Sequence, residues 1–314
     1  MIKVENLTKK YGSKTVIDNL SFEVKPGTVT GFLGPNGSGK STTMRLIMGL
    51  DNPRSGNIVL NNSNIHKFKS PMREVGALLD AGYMHPTRKA KFHLMALAAS
   101  NGIGKKRVNE VLELVGLSDV ANKRVGKFSL GMKQRIGIAG ALLGDPKTLI
   151  FDEPANGLDP EGMHWIRNFL SHLANEGRTV FVSSHLLSEM ALMADRLVII
   201  GAGKLIMETS VDDLTSQMSG AAVVVSSPKL TEFQDILQKR NIVSRIENSL
   251  LIIPENESAT IGNIAFENNI EIHQLYKSQP SLEDAFLEIT RSSQEYKTQP
   301  ILDEPQTING EQNA

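Results

Sequence analysis

The chain has 314 residues, of which 40% are hydrophobic, and this size and composition allow one large packed domain and a small second one. Lys plus Arg and Asp plus Glu both number 34, so the net charge is zero, which argues against a protein that binds nucleic acid through a basic surface. The absence of cysteine excludes disulfides and thiolate metal sites and fits a reducing compartment. We expect no signal peptide, and no segment approaches the roughly 18 consecutive apolar residues of a transmembrane helix.

The pattern of residues 1–216 predicts a single α/β domain. Short strand-like runs between residues 2 and 33 predict a small, mostly antiparallel sheet that leads into one buried strand, TVTGFL. Helical periodicity from about residue 86 to 144 predicts a helical insert. The strand-like segments TLIFD and TVFVSS then flank a helical segment, which indicates a parallel sheet with right-handed crossovers.

The remainder of the chain predicts a second, smaller unit. Residues 217–291 have the order β-α-β-β-α-β, typical of a ferredoxin-like α+β domain, with SLEDAFLEIT as a closing helix. Residues 292–314 are polar and contain two prolines, so we expect them to be a disordered tail.

A glycine-rich segment follows the strand TVTGFL and precedes the helix-like STTMRLIMGL, and it matches the phosphate-loop pattern G-x-x-x-x-G-K-[ST]. The alternative is an ordinary glycine-rich turn, but both flanking elements are those that the motif requires. Backbone N–H groups at the helix start would bind the phosphates, Lys40 would reach the β- and γ-phosphates, and the Ser41 hydroxyl would ligate Mg²⁺. The predicted phosphate site comprises Gly34, Pro35, Asn36, Gly37, Ser38, Gly39, Lys40, Ser41 and Thr42.

Polar residues at the ends of the next two predicted strands are candidates for catalysis. Asp152 and Glu153 follow a buried strand, where open α/β sheets bind ligands, so Asp152 would hold Mg²⁺ and Glu153 would deprotonate the attacking water. His185 ends the neighbouring predicted strand and would reach a γ-phosphate, although a lone histidine there is more often structural. Tyr11, in the first turn, would stack on adenine or be an ordinary surface tyrosine.

The segment FSLGMKQR, residues 128–135, starts a second helix suited to an anion. Together with the preceding motifs, in this order from about residue 2 to 216, it resembles the nucleotide-binding subunit of an ABC (ATP-binding cassette) transporter. In that family the segment stands in the place of the signature motif, LSGGQ followed by a basic residue and QR. Ser129 and Gly131 match the motif, while Leu130 replaces its first glycine and Met132 its glutamine. The family's geometry implies that Ser129 and Gly131 complete the ATP site of a second subunit.

The resemblance implies further site residues. It implies a D-loop at residues 156–159, ending at Asp159, an adenine-stacking role for Tyr11 and a γ-phosphate-sensing role for His185. Where the family has a glutamine that touches Mg²⁺ and the attacking water, this sequence has Asp80. A carboxylate can ligate Mg²⁺, but it cannot donate a hydrogen bond when ionised.

The resemblance therefore predicts a P-loop NTPase fold and an ATPase that uses ATP and Mg²⁺. It would pair with a second ATPase subunit, as a homodimer, and with a separately encoded permease at the cytoplasmic face of the membrane, without nucleic acid. The overall pattern is most similar to the branch that exports drugs or peptide antibiotics or confers bacitracin resistance. The alternatives are an importer's ATPase and a soluble ABC-type ATPase acting on nucleic acid or ribosomes; a P-loop kinase would leave the signature segment unexplained.

Overall fold

The structure is a computed structural model that describes residues 1–217, 222–254 and 256–278. The strands of its first range are β1 (Ile2–Tyr11), β2 (Lys14–Val24), β3 (Val29–Leu33), β4 (Ser55–Leu60), β5 (Val75–Leu78), β6 (Thr148–Phe151), β7 (Thr179–Ser184), β8 (Arg196–Gly201) and β9 (Lys204–Ser210). The helices of the same range are α1 (Lys40–Ile47), α2 (Pro71–Glu74), α3 (Ala90–Ser100), α4 (Lys105–Leu114), α5 (Leu130–Leu142), α6 (Pro160–Asn175), α7 (Leu187–Met193) and α8 (Val211–Gln217).

The predicted antiparallel sheet is present and has the strand order β2-β1-β4. Both neighbours of β1 run antiparallel to it, with Ile2 opposite Val24 in β2 and Leu60 in β4. Sequence analysis did not anticipate β4, because its first residues, Ser-Gly-Asn, are weak strand formers. These three residues are exposed, and only the last residue of the strand, Leu60, is fully buried. Pairing with β1 supplies the hydrogen bonds that the local sequence does not favour.

The central sheet has six strands in the order β5-β6-β7-β3-β8-β9. The first five are parallel, and only β9 runs antiparallel to its neighbour. Strands β3, β6 and β7 are buried along their whole length, as expected for a parallel sheet covered on both faces. Because β7 lies between β6 and β3, the carboxyl ends of these three strands bring the glycine-rich loop, the acid pair and His185 to one edge.

The predicted helical insert lies between β5 and β6 and consists mainly of α3, α4 and α5. The three helices contribute buried side chains to one hydrophobic cluster, among them Leu94, Val111 and Ile136. The same cluster includes Leu78 of β5 and Leu149 of β6, so the insert packs against the sheet. In the part of the chain that the structure describes, no helix is long and apolar enough to cross a bilayer.

The C-terminal residues form a separate antiparallel sheet with its own core. Its elements are β10 (Ala222–Ser226), α9 (Leu230–Lys239), β11 (Arg245–Glu247), β12 (Leu250–Pro254), α10 (Ser258–Glu267) and β13 (Gln274–Ser278). The strand order β11-β12-β10-β13 is that of a split βαβ unit, so the predicted α+β arrangement is present. The predicted closing helix SLEDAFLEIT and the tail at 292–314 lie outside the described residues, and the domain boundaries at 216 and 291 stay predictions.

Candidate functional site

The glycine-rich loop connects β3 to α1, and its glycines are required by the backbone path. Gly37 and Gly39 have φ values of 81° and 106°, in the region that favours glycine. A Cβ atom on Gly39 would lie 2.5 Å from Ile17 Cδ1, and one on Gly34 would lie 2.5 Å from Ser38 Oγ. That Ser38 hydroxyl is buried and has no hydrogen-bond partner within the described residues. The loop therefore has the close turn and the spare polar group expected of a phosphate site.

Lys40, the first residue of α1, points back into this loop. Its Nζ atom donates hydrogen bonds to the carbonyl oxygens of Gly34, at 2.6 Å, and Pro35, at 3.4 Å. The side chain is only 6% exposed, and burial lowers its pKa, while the carboxylates of Glu153 and Asp152 act in the opposite direction. The structure thus holds a buried amine beside the N-terminus of α1.

The acid pair begins the loop after β6, and a serine of β7 joins its two members. The Ser183 hydroxyl donates a hydrogen bond to Asp152 Oδ1, and it accepts one from the Glu153 N–H at 2.9 Å. Glu153 has a φ of 48°, so the chain turns sharply where its carboxylate leaves the strand. Sequence analysis did not single out Ser183; the signal available was its place at the end of TVFVSS, beside the strand that ends before Asp152.

The Glu153 carboxylate lies between the other two predicted catalytic residues. Its Oε1 atom is 3.7 Å from Lys40 Nζ, and its Oε2 atom is 2.9 Å from His185 Nδ1. Lys40, Glu153 and His185 are far apart in the sequence, and the adjacent carboxyl ends of β3, β6 and β7 bring them into contact. The arrangement can accept a proton from water at Glu153 while Lys40 and His185 supply positive charge or hydrogen bonds.

These residues face a cavity of about 850 Å³, a volume within the usual range for ligand pockets. Sequence analysis predicted Tyr11 and most of the residues that the glycine-rich loop contributes to the wall of this cavity. It did not predict Lys14, Thr15, Val16 or Ala202. The Tyr11 side chain is 47% exposed, and its hydroxyl donates to Asp51 Oδ2 at 3.0 Å. The cavity is lined by Tyr11, Lys14, Thr15, Val16, Asn36, Gly37, Gly39, Lys40, Ser41, Thr42, Glu153, Asn156, His185 and Ala202.

Eight predicted site residues are outside the lining of this cavity: Gly34, Pro35, Ser38, Asp80, Ser129, Gly131, Asp152 and Asp159. Ser129, Asp159 and Asp80 each accept a hydrogen bond from a backbone N–H at the start of a helical turn: from Met132 at 3.2 Å, Gly162 at 2.8 Å and Gly82 at 2.6 Å, respectively. Gly131 lies in the first turn of α5, beside Ser129. Their roles in binding ATP or Mg²⁺ stay predictions.

Sequence analysis also missed a contact between the signature segment and the loop after β6. Gln134 of α5 is 7% exposed, and its Nε2 atom donates to the main-chain oxygen of Glu153 across 3.4 Å. Its Oε1 atom is buried without a partner among the described residues. The QR pair that closes the signature motif includes this glutamine, but no local pattern indicates its partner, because that partner belongs to a loop that follows another strand.

Comparison with known proteins agrees with this geometry. The ABC transporter family pattern matches residues 17–156. The bacitracin transport ATP-binding protein BcrA of Bacillus licheniformis is 38% identical over 301 residues, covering 92% of this chain and 97% of that protein. The lantibiotic transport ATP-binding protein SrtF of Streptococcus pyogenes is 36% identical over 212 residues, covering 68% of this chain and 92% of that protein.

A solved structure is also similar. It is a dimeric ATP-binding cassette in a post-hydrolysis state, bound to ADP and Pi, with a TM-score of 0.61, 26% identity, and coverage of 67% of this chain and 99% of that one. The P-loop NTPase fold and the family resemblance inferred from the sequence are confirmed. The chain therefore belongs to the ABC transporter family, as an ATP-binding subunit that hydrolyses ATP.

Proposed function

We propose that this chain powers a separately encoded membrane permease that exports an amphiphilic drug, an antibiotic peptide or a lipid-like molecule. The observation that carries the proposal is the similarity to BcrA, named for bacitracin transport, along 92% of the chain. SrtF, named for lantibiotic transport, supports the same class of cargo. The ATPase would lie at the cytoplasmic face of the membrane and be held there by the permease.

The proposed reaction is in-line attack of water on the γ-phosphate of ATP. The water oxygen forms the new bond to phosphorus, its proton passes to Glu153, and the bond to the β-phosphate oxygen breaks to release ADP and phosphate. His185 Nδ1 holds the Glu153 carboxylate at 2.9 Å, which leaves Nε2 as the nitrogen that can face the γ-phosphate. Lys40 and the backbone amides of the loop would stabilise charge that develops on the phosphate oxygens.

The residues at the end of β6 and the start of α1 suit Mg²⁺. The Ser41 hydroxyl and the Asp152 carboxylate are hard oxygen donors, and Asp80 is a third candidate whose Oδ1 already accepts a hydrogen bond from Gly82. Within the described residues, no group of three or more His, Cys, Asp or Glu side chains could hold a metal ion alone, so ATP oxygens would complete the coordination. When bound, Mg²⁺ neutralises charge on the β- and γ-phosphates.

The position of the signature segment supports a dimer. Ser129 and Gly131 are suited to an anion, yet neither lines the cavity of their own subunit. We therefore propose that they complete the ATP site of a second copy, so that ATP closes the dimer and hydrolysis reopens it. The dimeric state of the similar cassette bound to ADP and Pi supports this arrangement.

The sequence is also compatible with two other functions. An importer's ATPase would be encoded beside a secreted binding protein, and a soluble ABC-type ATPase would act on nucleic acid or ribosomes. The zero net charge disfavours the second rival. The proposed exporter instead needs a neighbouring gene for a polytopic permease.

The proposal is tested by purifying the tagged chain from detergent extracts of its own cells. We expect a multi-span membrane protein to co-purify, and we expect deletion of the gene to increase sensitivity to an antibiotic peptide such as bacitracin. Repeated recovery with ribosomes or DNA would refute the transporter function. Recovery with a permease and a secreted binding protein would refute export.

A further inference from the structure

The signature segment and the D-loop of one subunit interlock through two leucines and two glycines. Gly157, in the loop between β6 and α6, has a φ of 71°, and a Cβ atom there would overlap Leu130 Cδ2. In the opposite direction, a Cβ atom on Gly131 would lie 3.0 Å from Leu158 Cδ2. Each leucine therefore occupies the space that the opposite glycine leaves free.

Core stability does not explain this contact. Leu130 is 48% exposed, so it contributes much less burial than a core leucine. It also departs from the glycine that the ABC signature motif usually has at this position. The compensating feature is Gly157, whose missing side chain makes room for Leu130 in the D-loop.

A second contact links the same helix to the beginning of the same loop. Gln134 lies four residues after Leu130, about one turn along α5 and on the same face, and it donates to the main-chain oxygen of Glu153 at 3.4 Å. Since its buried Oε1 atom has no partner in the described residues, an apolar side chain of similar size would be at least as good for folding. The amide therefore has a better explanation in positioning Glu153 than in stabilising the core.

We propose that Leu130 and Gln134 are positioning residues that hold the loop from Glu153 to Leu158 against the start of α5. The proposal rests on the proposed function, in which Glu153 is the base and Ser129 meets the ATP of the second subunit. The loop that carries Glu153 is thereby fixed to the start of the helix that begins beside Ser129.

A double-mutant cycle in the purified full-length protein tests the contact between Leu130 and Gly157. Gly157→Ala places a methyl group into Leu130, so we expect kcat to fall about tenfold or more while KM for ATP is unchanged. Leu130→Ala loosens the loop and should lower kcat by about threefold. In the double variant the two Cβ atoms would be 3.9 Å apart, an ordinary contact, so its kcat should return to the level of Leu130→Ala.

The backbone strain of an alanine at positive φ needs a matched control. Gly102 has a φ of 64°, and a Cβ atom there would meet nothing within 4 Å, so Gly102→Ala carries a similar strain without a collision. We expect Gly102→Ala to keep wild-type kcat. Equal loss of kcat in Gly157→Ala and the double variant, or wild-type kcat in Gly157→Ala, would overturn the role of Leu130.

The role of Gln134 is tested by Gln134→Leu, which keeps the approximate size and removes the donor. We expect kcat to fall about tenfold, with KM unchanged and the midpoint of urea unfolding equal to or above that of the wild type. A merely structural role would lower the midpoint and leave the turnover of the folded fraction intact, and that result would overturn the role of Gln134.

Glu153→Gln, measured in parallel, distinguishes a failure of the proposed mechanism from a failure of the positioning role. If it hydrolysed ATP like the wild type, Glu153 would not be the base and the proposed mechanism would fall. If it were inactive while the Leu130 and Gly157 cycle showed no rescue, only the positioning role would be overturned.

Discussion

Glu153→Gln is the most direct test of the catalytic geometry. The carboxylate lies 2.9 Å from His185 Nδ1 and 3.7 Å from Lys40 Nζ, and the replacement keeps its shape while removing its charge and its ability to accept a proton from water. The amide oxygen can still accept a hydrogen bond from His185, so the loop should keep its conformation.

The expected loss follows from the role assigned to Glu153. A positioned general base contributes about 10²- to 10⁴-fold to a rate, so kcat should fall by that factor, which corresponds to about 3 to 5 kcal/mol in activation free energy. The pKa of Lys40 should fall further, because one of the two carboxylates that oppose its lowering by burial is lost. ATP phosphates would pair with the Lys40 ammonium instead, so ATP binding should be retained.

Because hydrolysis would reopen the dimer, Glu153→Gln should stay as an ATP-bound dimer. Phosphate release in a single turnover measures the chemical step, and size-exclusion chromatography with ATP detects that dimer. Glu113→Gln is the matched control, because Glu113 is exposed on α4, away from the cavity. Glu113→Gln should hydrolyse ATP at the wild-type rate. Wild-type turnover by Glu153→Gln, or its failure to bind ATP, would refute the assignment of Glu153 as the base.

Four further outcomes are expected. Lys40→Ala should weaken ATP binding by about tenfold or more, and unchanged retention of ATP in a filter assay would contradict the phosphate site. Ser129→Arg should leave ATP binding by the monomer intact but prevent the dimer of Glu153→Gln, so a persisting dimer peak would argue against a role between subunits. Tyr11→Ala should weaken ATP binding more than Tyr11→Phe does, since the ring would stack; equal losses would assign the effect to the hydroxyl. Burial lowers the pKa of His93 below its ordinary value of 6.5, so the unfolded chain binds the proton first and stability is lost as the pH falls. His93→Leu should therefore reduce the loss of stability that urea titrations measure between about pH 7 and 5. An unchanged loss would show that another group causes it.

Much of the fold could be predicted because its signals are local. The glycine pattern, the strand before it and the helix after it are contiguous, so the sequence predicts the phosphate loop and its place between β3 and α1. Buried strands that end in polar residues similarly predict where Asp152 and His185 lie. The pairing of β4 with β1 could not be predicted, because tertiary hydrogen bonds override a weak local preference there.

The contacts between the side chains of the site were decided by tertiary structure alone. The bridge formed by Ser183, the placement of Glu153 between Lys40 and His185, and the fit of Leu130 over Gly157 each join segments that are distant in the sequence. Such contacts depend on strand order and on fractions of an ångström in packing, neither of which periodicity encodes. The sequence alone therefore determined the family and predicted the phosphate-binding residues. The three-dimensional fold determined which side chains contact each other, because hydrogen bonds and packing act between atoms that only the folded chain brings together.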